Sequence, residues 1–169
     1  MARTSVYDVT AVGDPALSWN YDLFLPAIPG TAETRQLTWR CMSTALPGSE
    51  VDRVDVQLHG VQLVYMGRRN WSHSFNSTFL EAIDWATRDA FVAWMEAGRS
   101  WVRNAGTEST TYKVNGQLVV YDDIPNVVKT VQVVGMWPQA IADVPLDGSQ
   151  GGGHVSLEIT WAYDYTIDL

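Results

Sequence analysis

Apolar and polar residues alternate along much of this chain, and most plainly at its C-terminal end. There Val155, Leu157, Ile159, Trp161, Tyr163 and Tyr165 fall on one side, and Ser156, Glu158, Thr160, Ala162 and Asp164 on the other. The pattern predicts one uninterrupted strand running to near Leu169. A half-buried strand of that length needs hydrogen-bond partners along both edges and an apolar layer against its hydrophobic face.

The same period recurs upstream. Trp19, Tyr21, Leu23 and Leu25 predict a first strand, closed by Pro26 and Pro29-Gly30. A second is expected from about Gln36 to Met42, with Leu37, Trp39 and Cys41 on one face. A longer extended stretch runs from about Asp52 to Met66, where Val54, Val56 and Leu58 precede Gly60 and Val61, Leu63 and Tyr65 follow it. The one-residue phase shift at Gly60 predicts a bulge or a tight turn. Between Trp71 and Ala82 two readings compete. Thr78-Phe79-Leu80-Glu81 has the form of a capping box, yet Trp71, Phe75 and Phe79 keep the strand period. The stretch is assigned to strand as far as about Glu81, with a helix over about 84–99 capped by Asp84. Ala90, Phe91, Trp94 and Met95 give that helix an apolar stripe, and Gly98 weakens its last turn.

After a polar loop over 104–111, Leu118 to Tyr121 predict a strand, Asp122-Asp123-Ile124-Pro125-Asn126 a turn, and Val127 to Val134 the return. Asn115-Gly116 is an alternative turn. Gly151-Gly152-Gly153 reads as a flexible tip before the last strand. Seven or eight strands and one helix make a mainly β chain, and 169 residues fit a single domain over 1–169.

Composition narrows the chemistry. With 46% hydrophobic and 18% charged residues the chain has the means to fold, and no apolar run approaches the roughly 18 residues of a membrane span. Met1-Ala2-Arg3-Thr4-Ser5 lacks the features of a secretory signal, so a cytoplasmic origin is expected, and the sequons at Asn70 and Asn76 carry no chemistry. Nineteen acidic against eleven basic residues give a net charge of −8, which argues against gripping a nucleic acid or an anionic membrane.

The single cysteine, Cys41, reads as a small buried hydrophobe. His59, His73 and His154 fall in no metal-binding spacing. Gly148 to Gly153 lacks the lysine and following helix of a phosphate cradle. Asp122 and Asp123 sit where aspartate caps a turn, and no serine occupies a nucleophile elbow. No catalytic, cofactor-binding or metal-ligating residues are assigned. The eight tryptophans suggest a stacking platform, but Trp19, Trp39, Trp94 and Trp161 run in phase with apolar neighbours, and interleaved basic residues are scarce.

Three ordered blocks resemble the tail tube proteins of contractile-tailed bacteriophages. The first is Asp14-Pro15-Ala16-Leu17-Ser18-Trp19-Asn20-Tyr21-Asp22-Leu23-Phe24-Leu25 with Leu37-Thr38-Trp39-Arg40-Cys41-Met42-Ser43-Thr44-Ala45-Leu46-Pro47-Gly48-Ser49-Glu50. The second is Ser77-Thr78-Phe79-Leu80-Glu81 with the helix bearing Phe91 and Trp94. The third runs from Gly135-Met136-Trp137-Pro138 through Val144-Pro145-Leu146-Asp147 to the terminal strand. The pattern departs from the family between Asn104 and Tyr121.

The resemblance implies two packed antiparallel sheets, sandwich- or barrel-like, with one flanking helix. It also implies six copies closing into a ring whose inner strands join, and rings stacking into a tube that conducts DNA and the tape measure protein. Sheath and baseplate proteins are the further partners, no cofactor is involved, and the site of action is the virion after assembly in the host cytoplasm. The matching family segment makes contacts between rings, which here assigns Ser43, Thr44, Leu46, Pro47, Gly48, Glu50, Asp52 and Arg53 to an inter-ring loop. Asp55, Gln57, Gln62 and Gln132 are candidate lumen residues, and an acidic lumen would repel DNA so that it slides without specific binding. A type VI secretion or injection-particle tube shares these features. Different in kind are a monomeric aromatic-rich β module for sugar or single-stranded nucleic acid, and a hydrolase using dispersed carboxylates.

Overall fold

The computed structural model of the protein describes residues 18–30, 34–124, 126–147, 149 and 153–169. Asp14 to Leu17 of the first family-like block, and Gly151-Gly152 of the glycine tip, lie outside them. The elements in chain order are β1 (Tyr21–Phe24), α1 (Thr34–Arg40), β2 (Cys41–Thr44), β3 (Ser49–Leu58), β4 (Val61–Trp71), β5 (Ser74–Leu80), α2 (Ala86–Gly98), α3 (Ser109–Tyr112), β6 (Val114–Tyr121), β7 (Val127–Ile141), β8 (Ser156–Ala162) and β9 (Tyr165–Asp168). The chain is mainly β, with two antiparallel sheets as expected. Seven strands lie in the order β1-β6-β7-β8-β5-β2 with β9 also on β7, and β3 and β4 form a separate ribbon. The sheet does not close into a barrel. Its end strands β1 and β2 come near each other, but they do not pair.

β7 serves two half-sheets. Its N-terminal part pairs with β6 (Gln117↔Gln132, Val119↔Thr130) and with β9 (Val133↔Thr166), and its C-terminal part with β8 (Pro138↔Trp161, Ile141↔Ile159). Between the parts stands Gly135 at φ 68°, where a Cβ would fall 2.2 Å from Asp164 Oδ2. The Gly135 N–H donates to Asn115 Oδ1 (3.0 Å), the Asp164 N–H donates to the Val134 carbonyl (3.0 Å), and Lys113 Nζ donates to both Asp164 carboxylate oxygens at 2.7 Å. This corner corrects the expectation of one uninterrupted terminal strand: β8 ends at Ala162, and β9 resumes at Tyr165 along the other half of β7. Tyr163 is still buried in phase with Trp161, whereas Tyr165 is exposed.

The inward faces of both halves share one core. Leu23, Leu118, Val131 and Val133 come from one half, Phe75, Phe79, Leu157, Ile159 and Trp161 from the other, and Ala90, Phe91 and Trp94 from α2. Trp161 lies at its centre, with ring centroids 5.5 Å from Phe91 and 5.6 Å from Trp94. Both buried indole N–H groups are satisfied, Trp161 Nε1 by Ser77 Oγ (3.0 Å) and Trp94 Nε1 by the Tyr112 carbonyl (2.6 Å), as burial of a tryptophan requires.

Three local expectations are corrected. The predicted strand at 36–42 is α1 followed by β2. Leu37 is buried while Trp39 is exposed, so the two do not share a face, and Arg35 lies over the Trp39 ring one turn away at 5.2 Å. The long helix starts at Ala86, one residue later than an Asp84 cap predicts, although Asp84 Oδ1 does accept from the Ala86 N–H (3.2 Å). Trp85 is its left-handed N-cap residue, and Glu81 takes over the free amides, accepting from Thr87 N (3.1 Å) and Arg88 N (2.9 Å). Asn115-Gly116 is no turn, because Gly116 lies buried inside β6 against Met136, and β7 continues past Val134 to Ile141.

Replacing Gly135 by alanine should cost at least about 1–2 kcal/mol, the penalty of a left-handed backbone, and more through the displaced Asp164. Thermal unfolding checks this against Gly48→Ala, where a Cβ meets nothing within 4 Å and the change should stay within about 0.5 kcal/mol.

Candidate assembly surface

The β3–β4 ribbon turns on His59 and Gly60, both at positive φ (49° and 80°), as a two-residue hairpin turn demands. The turn sets Leu58 opposite Val61, which fixes the register as Val56↔Leu63 and Val54↔Tyr65. Directly opposed residues share a face, so Val54, Val56, Leu58, Val61, Leu63 and Tyr65 form one wholly apolar surface. All but Val56 are classed among the exposed residues, and Val56 is only half-buried. The apolar phase shift read at Gly60 is therefore a tight turn, and its effect is to put two apolar runs on one side.

The opposite face carries Arg53, Asp55 and Gln57 on β3 and Gln62, Val64, Met66 and Arg69 on β4. Three of the four candidate lumen residues, Asp55, Gln57 and Gln62, are thus brought together. Gln132 is not with them: it sits on β7, half-buried, opposite Gln117 and Ile167. Asp55 accepts from Arg53 Nη2 at 2.9 Å, an exposed ion pair worth little by itself. With Arg69 alongside, this face holds two arginines and one aspartate, so the acidic surplus of the chain is elsewhere.

The predicted inter-ring segment divides among elements. Ser43 and Thr44 belong to β2, where Thr44 Oγ1 lies 2.8 Å from Ser77 Oγ. Glu50, Asp52 and Arg53 belong to β3, and Asp52 accepts from Asn70 Nδ2 (2.7 Å) across the ribbon. Leu46, Pro47 and Gly48 form the connecting loop. Leu46 and Pro47 wall a cleft of about 390 Å³ between the foot of the ribbon, marked by Arg69 and Trp71, and the β7–β9 pair.

The remaining reactive groups are quiet. Burial, with the nearby Asp22 charge adding to it, pushes the Cys41 thiol up to about 12, against smaller opposing hydrogen bonds from Tyr21 and at Ser43. Asp122 is held below the usual carboxylate range by the Asn126 N–H (3.0 Å) and is a turn cap, as its sequence position suggests. Among the described residues no three His, Cys, Asp or Glu side chains gather as a metal site, and no helix is long and apolar enough to cross a membrane. Sequence reading missed an apolar cleft of about 810 Å³ between α2, the following loop and the end of β7, walled by Met95, Trp101, Tyr112, Trp137 and Ile141. Its walls are distant in sequence and share no period.

No family model matches the chain. Over 133 residues it is 25% identical to tail tube protein gp19 of Enterobacteria phage T4, a match covering 78% of this chain and 81% of that one, and 26% identical over the same span to the gp19 of phage T6. Over about four-fifths of its length the chain is thus similar to the tail tube proteins of these two phages. A chain of the extended sheath–tube complex of the extracellular contractile injection system PVC has the same fold at a TM-score of 0.66, over 99% of both chains and at 12% identity. Among the described residues nothing covers the exposed apolar face of the ribbon, which makes it the candidate assembly surface.

At pH 8 the folded protein should resist alkylation at Cys41, because a thiol with a pKa near 12 is almost wholly protonated there. Mass spectrometry after iodoacetamide should show modification only once the protein is unfolded in guanidinium.

Proposed function

We propose that the protein is the structural, self-assembling subunit of a phage tail tube, without catalysis, in which six copies close a ring and stacked rings conduct DNA during ejection. The observation that carries this reading is the β3–β4 ribbon. A two-stranded ribbon is marginal in water by itself, and one with six apolar residues along a single face needs a covering surface that the described residues of its own chain do not provide. Other copies of the chain supply it. The relation to the phage T4 and T6 tail tube proteins supports a tube as the product. The virion tail is then the site of action, after assembly in the host cytoplasm, with sheath, baseplate and tape measure proteins as partners. The loop bearing exposed Leu46 and half-buried Pro47 is assigned to contacts between rings, together with the neighbouring Glu50, Asp52 and Arg53 at the start of β3.

The second reading, a tube that moves protein in an injection or secretion system, is favoured by the shared fold of the PVC sheath–tube chain. Neighbouring genes separate the two: a capsid gene beside the sheath gene supports the phage tail, a secretion ATPase gene the alternative.

Negative-stain microscopy and solution mass of the purified protein should show rings or tubes. A strictly monomeric species at every salt concentration would overturn the assembly reading. Val56→Lys should leave the melting temperature nearly unchanged, since the site is outside the core, and abolish tubes. Pro47→Asp should likewise keep the fold but impair the stacking of rings, read as a loss of tube length.

A further inference from the structure

The apolar face of the ribbon has a counterpart elsewhere on the molecule. Along β9, Tyr165 and Ile167 are exposed while Thr166 between them is half-buried, and Leu169 continues their phase with its N–H bonded to the Thr130 carbonyl (2.9 Å). Tyr165 is opposite Val134 and Ile167 opposite Gln132, so these residues share the outer side of the sheet with Val128. The other edge of β9 pairs with no strand among the described residues.

We propose that the apolar face of the β3–β4 ribbon of one copy packs on the outer face of β9 and the N-terminal part of β7 of the next copy, with Leu63 meeting Ile167. This rests on the tube reading and specifies its contact. Symmetry decides against ribbon meeting ribbon: such a contact is self-complementary and closes as a dimer, whereas a ring needs two different surfaces on each subunit. Continuity decides for β9. Trp71, on the same side of the ribbon's foot as Arg69, already touches Tyr165 within one chain at a ring separation of 6.2 Å and walls a cleft with Ile167, so the outer side of β9 is a surface that a ribbon foot covers at one end and an incoming apolar ribbon face can complete.

Two consequences follow for the polar residues. The face bearing Arg53, Asp55, Gln57 and Gln62 turns away from the contact and stays open in the assembly. Gln132, opposite Ile167 on the receiving surface, becomes an interface residue rather than a lumen residue.

Packed sheet faces lie about 10 Å apart, too far for a disulfide, so a bis-maleimide of about that span is the suitable probe. In a Cys41→Ala background, assembled subunits carrying both Leu63→Cys and Ile167→Cys should give a ladder of crosslinked species on a denaturing gel. A mixture of the two single variants should stop at dimers, and Gln62→Cys with Ile167→Cys should give no ladder. Tubes of the double variant that yield no ladder, or dimers from Leu63→Cys alone, would overturn the assignment while leaving the tube reading intact. Failure of the unmodified protein to assemble at all would instead remove the tube reading. If the cysteine variants do not assemble, a charge swap decides. Leu63→Asp or Ile167→Lys alone should abolish tubes and the two in one chain should restore them; no restoration overturns the contact.

Discussion

The corner at Gly135 is the constraint from which the rest of the architecture follows. A 15-residue strand cannot belong to two half-sheets with different directions unless its backbone turns somewhere, and a residue at φ 68° packed against a carboxylate is how this chain turns it. Asn115 accepts the Gly135 N–H, and Asp164, held by Lys113, fills the space that a side chain would take. The ion pair is partly exposed and contributes little energy, so its role is to place Asp164. Because β8 and β9 both run along β7, the corner breaks them at the same level. It thereby folds the two inward faces onto one aromatic core around Trp161.

That corner also explains where sequence reading succeeds and where it fails. Strand periodicity reports which side of the backbone a residue takes, and it located β1, β5, β6 and β8 and the stripe of α2 because those segments keep one face buried throughout. It is blind to a bend that preserves the alternation, so Val155 to Tyr165 read as one strand. At Leu37 to Cys41 the period of two was present in the residue types but not in burial, since Trp39 is held at the surface under Arg35. Asp84 does bond the Ala86 N–H, as its position suggests, but Trp85 takes the N-cap position and the next two amides are held by Glu81, five residues before the first helical residue, which no local cap pattern encodes.

The ribbon was legible as two apolar runs around Gly60, and its face became definite only with the register. One residue of slip would have mixed Asp55 and Gln57 among the valines. The register also separates Gln132 from the other lumen candidates, which residue type alone could not do. Folding and the proposed assembly therefore draw on different parts of the chain. The seven-stranded sheet and α2 hold the core, and of the ribbon only Trp71, at its foot, packs against it.

This division bears on how charge acts in a tube. The net charge of −8 suggested a wall that repels phosphate, yet the ribbon's polar face carries Arg53, Asp55 and Arg69 among glutamines, and the Arg53–Asp55 pair largely cancels itself. If this face lines a lumen, its local field is weakly basic at the foot and close to neutral toward the tip. Smooth passage of a polyanion then relies on the absence of strong partners rather than on repulsion: glutamine amides exchange hydrogen bonds with water freely, and an arginine already paired with an aspartate has little left for a phosphate. The acidic residues exposed on α2 and in the turns, among them Asp84, Asp89 and Asp123, would act elsewhere, keeping subunits soluble before assembly.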